Sequence, residues 1–136
     1  MRPDVALISA YPPSGQHHGG HSGVAPYSAN LARSLVAAGA RVVVVAPELD
    51  GEPERFEDDG VEVWRAFRSG AWALPSALRA ASSVGADITH LQYELFLYGG
   101  SRSLVGLFPA SARYRGSPPL VTTMHQVVDP STVDPA

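Results

Sequence analysis

The sequence predicts a doubly wound α/β fold, a three-layer arrangement in which helices cover both faces of a parallel sheet of about five strands. Short apolar runs rich in β-branched residues alternate with amphipathic helical patterns along the 136 residues. The connections are short enough for right-handed crossovers between parallel strands. With 45% hydrophobic residues, a chain of this length can bury one core, so we expect a single domain over residues 1–136.

The composition excludes several classes of function. A net charge of −3 argues against nucleic acid as the main partner. The chain has no cysteine, which excludes disulfides, thiolate zinc sites and cysteine nucleophiles. No apolar run approaches the roughly 20 residues of a membrane span, and the N-terminus lacks a signal-peptide pattern, so we expect a cytoplasmic protein.

The first predicted strand and helix occupy the N-terminal part of the chain. Residues 5–8 (VALI) are too short for a helix, and their apolar character suits a strand buried on both faces. After a loop rich in Pro, Gly, Ser and His, apolar residues recur at helical spacing from Tyr27 to Ala38. Pro26 fits the first turn of this helix, and Gly39 fits its C-terminal cap.

The following segments complete the predicted sheet. Residues 41–46 (RVVVVA) form a β-branched strand, and the acidic residues 48–59 are expected to be a turn-like, solvated edge. The remaining elements are a strand at 61–64, a helix at 71–84, a strand at 87–92, a helix at 101–114 and a strand at 119–124. We predict the strand order 3-2-1-4-5. Since no helix follows the fifth strand, we expect the predicted sheet to be incomplete.

Three segments of unusual composition follow predicted strands, at the edge where an open parallel sheet binds ligands. They are GGHSG at 19–23, QYE at 92–94 and HQ at 125–126. The glycine segment opens a helix, so its free N–H groups and the helix dipole could hold a phosphate. The alternative is that these glycines only make a tight turn. The G-x-G-x-x-G fingerprint is absent, and a P-loop would need a lysine, which the chain lacks.

Histidines and one glutamate are the candidate reactive groups. His125 lies at the end of an apolar strand, where a neutral imidazole could exchange hydrogen bonds with a substrate hydroxyl. Glu94 could bind a hydroxylated ligand, orient a histidine, or be a solvated loop carboxylate. His90 is expected to be packed in or near the core. Three more histidines share one loop: His17, His18 and His21. They could chelate a divalent metal, but a flexible polar loop is favoured, and no metal site is predicted.

Three stretches, taken together, are similar to one enzyme family. The first begins with GVAPYS at 23–28 and continues to the strand RVVV at 41–44. The second is HLQYE at 90–94 with YGG at 98–100, and the third is LVTTMH at 120–125. In this order, the three stretches resemble the N-terminal domain of retaining glycosyltransferases of family 4, in particular that of a bacterial subset. These enzymes have a GT-B architecture of two Rossmann-like domains.

The resemblance implies that this domain binds mostly the acceptor, while a second domain holds the sugar nucleotide. His125 matches the active-site histidine that contacts the transferred sugar. The match also implies a loop that approaches the donor diphosphate: Gly20, Ser22, Gly23 and Val24. It further implies a lining for the acceptor side: Gln92, Tyr93 and Glu94.

The resemblance also sets expectations for activity and partners. The family's donor-binding C-terminal domain is missing from these residues, and transfer needs donor and acceptor held together, so we expect the chain alone to be inactive. Joined to that domain, it would be a glycosyltransferase of the hexosyltransferase type. Its substrates would be a nucleotide sugar and a hydroxylated acceptor (a sugar, lipid or small molecule), with no cofactor. Membrane association would be peripheral and confined to the full enzyme, and a dimer could cover apolar surface left by the truncation.

Two other functions stay open at this point. A noncatalytic module could use the same pocket to hold a glycan or a partner protein. The nucleotide-binding domain of an NAD-dependent oxidoreductase, with Glu48 as the acid that binds the ribose, ranks lower because the glycine spacing is wrong.

Overall fold

The computed structural model describes residues 2–19, 22–94, 97–99 and 118–125. The helix expected at 101–114 lies outside these residues. Within them the chain forms six strands and two helices: β1 (Val5–Ile8), α1 (Val24–Ala37), β2 (Val42–Pro47), β3 (Arg55–Asp58), β4 (Val61–Phe67), α2 (Ala73–Val84), β5 (Ile88–Tyr93) and β6 (Leu120–Met124).

The strands of the described residues form one sheet in the order β3-β4-β2-β1-β5-β6. Strand β1 is central and pairs in parallel with both β2 and β5. The parallel pairing continues outward from β2 to β4 and from β5 to β6. The five predicted strands therefore stand in the expected order, and the doubly wound α/β fold is confirmed.

The acidic segment differs from the prediction, because residues 55–58 form a sixth strand rather than a turn. Strand β3 pairs antiparallel with β4 at the edge of the sheet, so the sheet is mixed. Phe56 packs against the Tyr11 ring, with centroids 6.2 Å apart. The flanking Arg55 and Glu57 are exposed, which is the alternation of an edge strand with one covered face. One inward aromatic among many acids is a weak signal in the sequence.

The two helices lie on opposite faces of the sheet, because successive residues of the central strands point to opposite sides. The core on the α1 face includes Leu7, Tyr11, Ala29, Ala32, Val44 and Val63. The core on the α2 face includes Ala6, Ile8, Val45, Leu74, Ala77 and Leu91. Small alanines on both helices let them approach the strands closely, and the three-layer arrangement is the one predicted.

Strand β6 is much less covered than the centre of the sheet. Val121 is 49% exposed and Met124 is 54% exposed, whereas Leu7 in β1 is fully buried. The β6 side of the sheet therefore presents apolar surface, while the opposite edge is closed by β3.

Candidate functional site

The loops that follow β1, β5 and β6 meet at the carboxyl ends of these strands, on the face that α1 covers. The hydroxyl of Ser22, just before α1, donates a hydrogen bond of 2.5 Å to Glu94 Oε2, just after β5. The ring of Tyr27 in α1 lies 5.1 Å from the His125 ring, just after β6, with the rings at 76°. We refer to Ser22, Tyr27, Gln92, Glu94 and His125 as the site cluster. The structure brings these residues together, and their ligand-binding roles stay predictions.

The start of α1 is held by Ser22. The Val24 N–H donates to Ser22 Oγ at 3.0 Å, and the Ala25 N–H approaches the Ser22 carbonyl oxygen at 3.4 Å. Pro26 has no N–H to offer. Ser22 thus occupies two of the N–H groups expected to be free for an anion. Gly20, the other predicted residue of this loop, lies outside the described residues.

Gly23 is exposed, and its backbone does not require a glycine. Its φ of −66° and ψ of −19° are accessible to any residue, and an added Cβ would meet no described atom within 4 Å. The tight-turn explanation does apply to Gly19, whose φ is +99° and whose added Cβ would lie 3.3 Å from Pro13 Cδ. Among the described residues, the missing side chain of Gly23 leaves open space in front of the helix.

Glu94 places a negative charge beside this open space. Its carboxylate is half-buried and forms no salt bridge with an arginine of the described residues. A carboxylate oxygen accepts hydrogen bonds only, which suits a ligand hydroxyl. The same charge would repel a diphosphate at Gly23, unless cations from elsewhere neutralise it.

His125 is fixed to β5 through both its backbone and its side chain. Its N–H donates to the Tyr93 carbonyl oxygen at 3.1 Å, and its Nε2 pairs with Oε1 of the fully buried Gln92. Nε2 of Gln92 lies 3.1 Å from Nε2 of His90, which in turn lies 2.8 Å from Thr123 Oγ1. A chain of hydrogen bonds therefore runs from His125 into the sheet.

His90 is half-buried, near the core as predicted, but it also has a polar role. Burial, followed by the nearby charge of His125, lowers its pKa below the usual 6.5. His90 is consequently neutral at physiological pH. Sequence reasoning treated it as core alone. The available signal was the His-x-Gln spacing, which puts His90 and Gln92 on one face of an otherwise apolar strand.

Tyr93 belongs to the predicted acceptor lining, but its side chain turns to the other face of the sheet. It packs on the α2 side, where its ring stacks on Tyr98 with centroids 5.4 Å apart. The hydroxyl of the buried Tyr98 donates to the Gln92 carbonyl oxygen at 3.2 Å, and burial raises the pKa of Tyr98. Tyr93 therefore packs against β5 on the α2 face of the sheet. Gln92 and Glu94 lie on the α1 face, near His125.

A buried arginine that sequence reasoning missed organises the same end of the sheet. Arg65 in β4 is 3% exposed, and it donates to the carbonyl oxygens of Pro12 at 2.8 Å and Pro47 at 3.2 Å. It also pairs with Glu52 at 3.3 Å, while burial lowers its pKa. An adjoining cleft of about 500 Å³ is lined largely by polar and acidic groups, including Gln16, Glu48, Asp50 and Glu52. Arg65 joins the loops that follow β1 and β2.

The histidine loop shows no metal centre in the part of the chain that the structure describes. His17 and His18 are exposed, and His21 lies outside the described residues. No group of three His, Asp or Glu residues within the described ranges is arranged to hold a metal ion.

Comparison with known proteins adds one match that includes the whole site cluster. The sequence model of the Glycosyl transferase 4-like domain matches residues 22–136, which is well over half of the chain. A search of curated proteins and a search of solved structures each gave no match. Neither helix in the described part of the chain has the length and apolarity needed to cross a membrane.

Proposed function

Because the chain belongs to the family of glycosyl transferase 4-like domains, we propose that it is the acceptor-side domain of an enzyme that transfers a hexose from a nucleotide sugar. The acceptor is a hydroxylated molecule, and the transfer retains the configuration of the sugar. The observation that carries the proposal is the meeting of Ser22, Glu94 and His125 at the carboxyl ends of the parallel strands. This is the edge at which open α/β sheets bind their ligands.

The side chains of the site cluster suit a carbohydrate. Ser22 engages one oxygen of Glu94, and the carboxylate can accept further hydrogen bonds from sugar hydroxyls. The Tyr27 ring is 49% exposed beside His125, so it offers an apolar surface for sugar C–H groups. Gln92 and the backbone of Tyr93 hold His125 in place, which keeps the polar groups in a defined geometry.

The donor side needs a second domain under this proposal. The open space at Gly23 lets a diphosphate approach the positive end of the α1 dipole. Glu94 opposes that charge, and Ser22 already takes the Val24 N–H. The cations that compensate the diphosphate therefore come from the donor-binding domain of a GT-B enzyme. We propose that the 136-residue chain alone does not transfer sugar, because orientation of both substrates supplies much of the rate.

Side chains of different size at position 23 test whether the donor diphosphate approaches Gly23. The enzyme as encoded in its gene is assayed with a panel of sugar nucleotides (UDP-glucose, UDP-N-acetylglucosamine and GDP-mannose) and acceptor sugars. Gly23→Trp fills the open space and should reduce transfer by about 100-fold, since small misplacements of substrates have effects of that size. Gly23→Ala adds one methyl group and should reduce it far less. Both variants should fold, because the backbone angles suit any residue. Normal transfer by Gly23→Trp would contradict the proposal.

A noncatalytic glycan-binding module is the second candidate, and the negative charge of Glu94 beside Gly23 favours it. A carboxylate at this position accepts hydrogen bonds from hydroxyl groups, whereas it repels a phosphate. Binding of free sugars with no turnover of any sugar nucleotide by the gene-encoded protein would support the module over the enzyme.

A further inference from the structure

The hydrogen-bond chain between β5 and β6 carries information about proton positions, because an amide side chain is not symmetric. Gln92 offers one acceptor oxygen and one donor NH₂ group. Its Oε1 faces Nε2 of His125, and its Nε2 faces Nε2 of His90. His125 Nε2 must therefore carry a proton, and His90 Nε2 must present a lone pair. The Thr123 hydroxyl, 2.8 Å from His90 Nε2, would then share that lone pair as a second donor.

Burial couples the proton positions along this chain, so that one of them cannot change alone. Gln92 is fully buried, so water cannot replace either of its partners. Reversing the amide would put N–H donors against His125 Nε2 and would require a proton on His90 Nε2. The present orientation is also the only one that tolerates a protonated His125, because both nitrogens of an imidazolium are donors.

We infer that His90 is a positioning residue, which acts through Gln92 to keep the proton of neutral His125 on Nε2 and to leave Nδ1 for the ligand. Nδ1 of His125 then accepts a hydrogen bond from a ligand hydroxyl. The identity of that ligand as a sugar rests on the proposed function, whereas the proton position does not.

The proton position can be read directly from two-bond ¹H–¹⁵N correlation spectra of the ¹⁵N-labelled 136-residue chain, at a pH above the titration of its histidines. We expect His125 to show a protonated-type Nε2 and an unprotonated-type Nδ1. His90 should show the opposite pattern, with its proton on Nδ1. A proton on His125 Nδ1, or an even mixture of its two tautomers, would overturn the inference. A failure of sugar binding or transfer would leave this spectrum unchanged.

Variants separate the role of His90 from a general effect of packing. His90→Leu removes the acceptor for the Gln92 NH₂ group and should give His125 a mixture of tautomers. His90→Gln can place an amide oxygen near the same point and should preserve the Nε2–H form. Thr123→Val, which removes only the second donor to His90, is the matched control and should preserve it too. An unchanged His125 spectrum in a folded His90→Leu protein would rule out the role. If that protein does not fold, loss of the Nε2–H form in His90→Gln would do the same.

Discussion

His90 shows how a single side chain links the site to the stability of the fold. The pKa of His90 in the folded chain is lowered from 6.5, chiefly by burial. As the pH falls, the imidazole is therefore protonated in the unfolded chain before it is protonated in the folded chain. Stability is therefore fully present above about pH 6.5 and is lost as the pH falls below that value. His90→Gln should flatten the decline in the free energy of unfolding between about pH 7.5 and pH 5.5. Urea unfolding at several pH values measures this free energy for the wild type and the variant. An equal decline in both proteins would contradict the role given to His90.

Arg65 is the residue whose loss should most disturb the loops around the site. Arg65→Met removes the guanidinium that donates to the carbonyl oxygens of Pro12 and Pro47. It also removes the cation paired with Glu52, whose carboxylate then keeps, in the described part of the chain, only the donors of Ser14. Breaking a buried pair in this way costs about 3 kcal/mol of unfolding free energy. Arg68 pairs with Glu48 at the surface with 87% of its side chain exposed, so Arg68→Met should change stability by less than about 1 kcal/mol. Urea denaturation compares the two, and equal losses would argue against the structural role of Arg65.

A charged residue, Arg65, also explains why the third predicted strand is shorter than the observed one. The third predicted strand ends at Trp64, since Arg65 interrupts the alternation of apolar residues. In the structure β4 continues to Phe67, and the terminal nitrogens of the Arg65 guanidinium donate to Pro12, Pro47 and Glu52 from other segments. Those partners are distant along the chain, so no local pattern could indicate them.

At the scale of elements, the segment after β5 contains a glycine required by close packing. Gly99 has a φ of +96°, and an added Cβ would lie 2.8 Å from the backbone N and Cα of Ala71. The sequence pattern associated this glycine with a family motif, and the structure adds a steric reason. The backbone here lies directly against the turn that leads into α2.

Gly99→Ala should therefore destabilise the chain by about 2–4 kcal/mol, from backbone strain and overpacking together. Gly51 is a matched control, because its φ is +79° but an added Cβ would meet no described atom within 4 Å. Gly51→Ala should lose only about 1–2 kcal/mol, the strain of a positive φ. Thermal and urea unfolding of both variants measure the difference. Equal effects would show that the contact with Ala71 is not tight.

The elements themselves were largely predictable, whereas the contacts of the site were not. Apolar and β-branched runs determine the five predicted strands, and helical periodicity determines α1 and α2. The pairing of Ser22 with Glu94 spans 72 positions of sequence. The chain from His125 through Gln92 to His90 depends on the register of β5 and β6. Such contacts follow from the assembled sheet, so the sequence could indicate candidate residues but not their partners.

At the scale of the whole molecule, the described residues form a polar edge and an apolar side. The polar edge holds the site cluster at the carboxyl ends of the strands. The apolar side lies at β6, where Val121 and Met124 are about half exposed. Family membership makes the chain a glycosyl transferase 4-like domain, and we propose that its polar edge is the edge at which sugar transfer takes place.

The most direct test of that claim is the rate of sugar transfer by the gene-encoded enzyme with His125 replaced by alanine. A positioned histidine in such a site contributes about 100-fold or more, so kcat/KM of His125→Ala should fall by at least that factor. Ser34→Ala on the exposed surface of α1, where the hydroxyl only contacts the Asn30 carbonyl oxygen, serves as the control and should keep the wild-type rate. A His125→Ala enzyme that is folded and transfers sugar at the wild-type rate would contradict the claim.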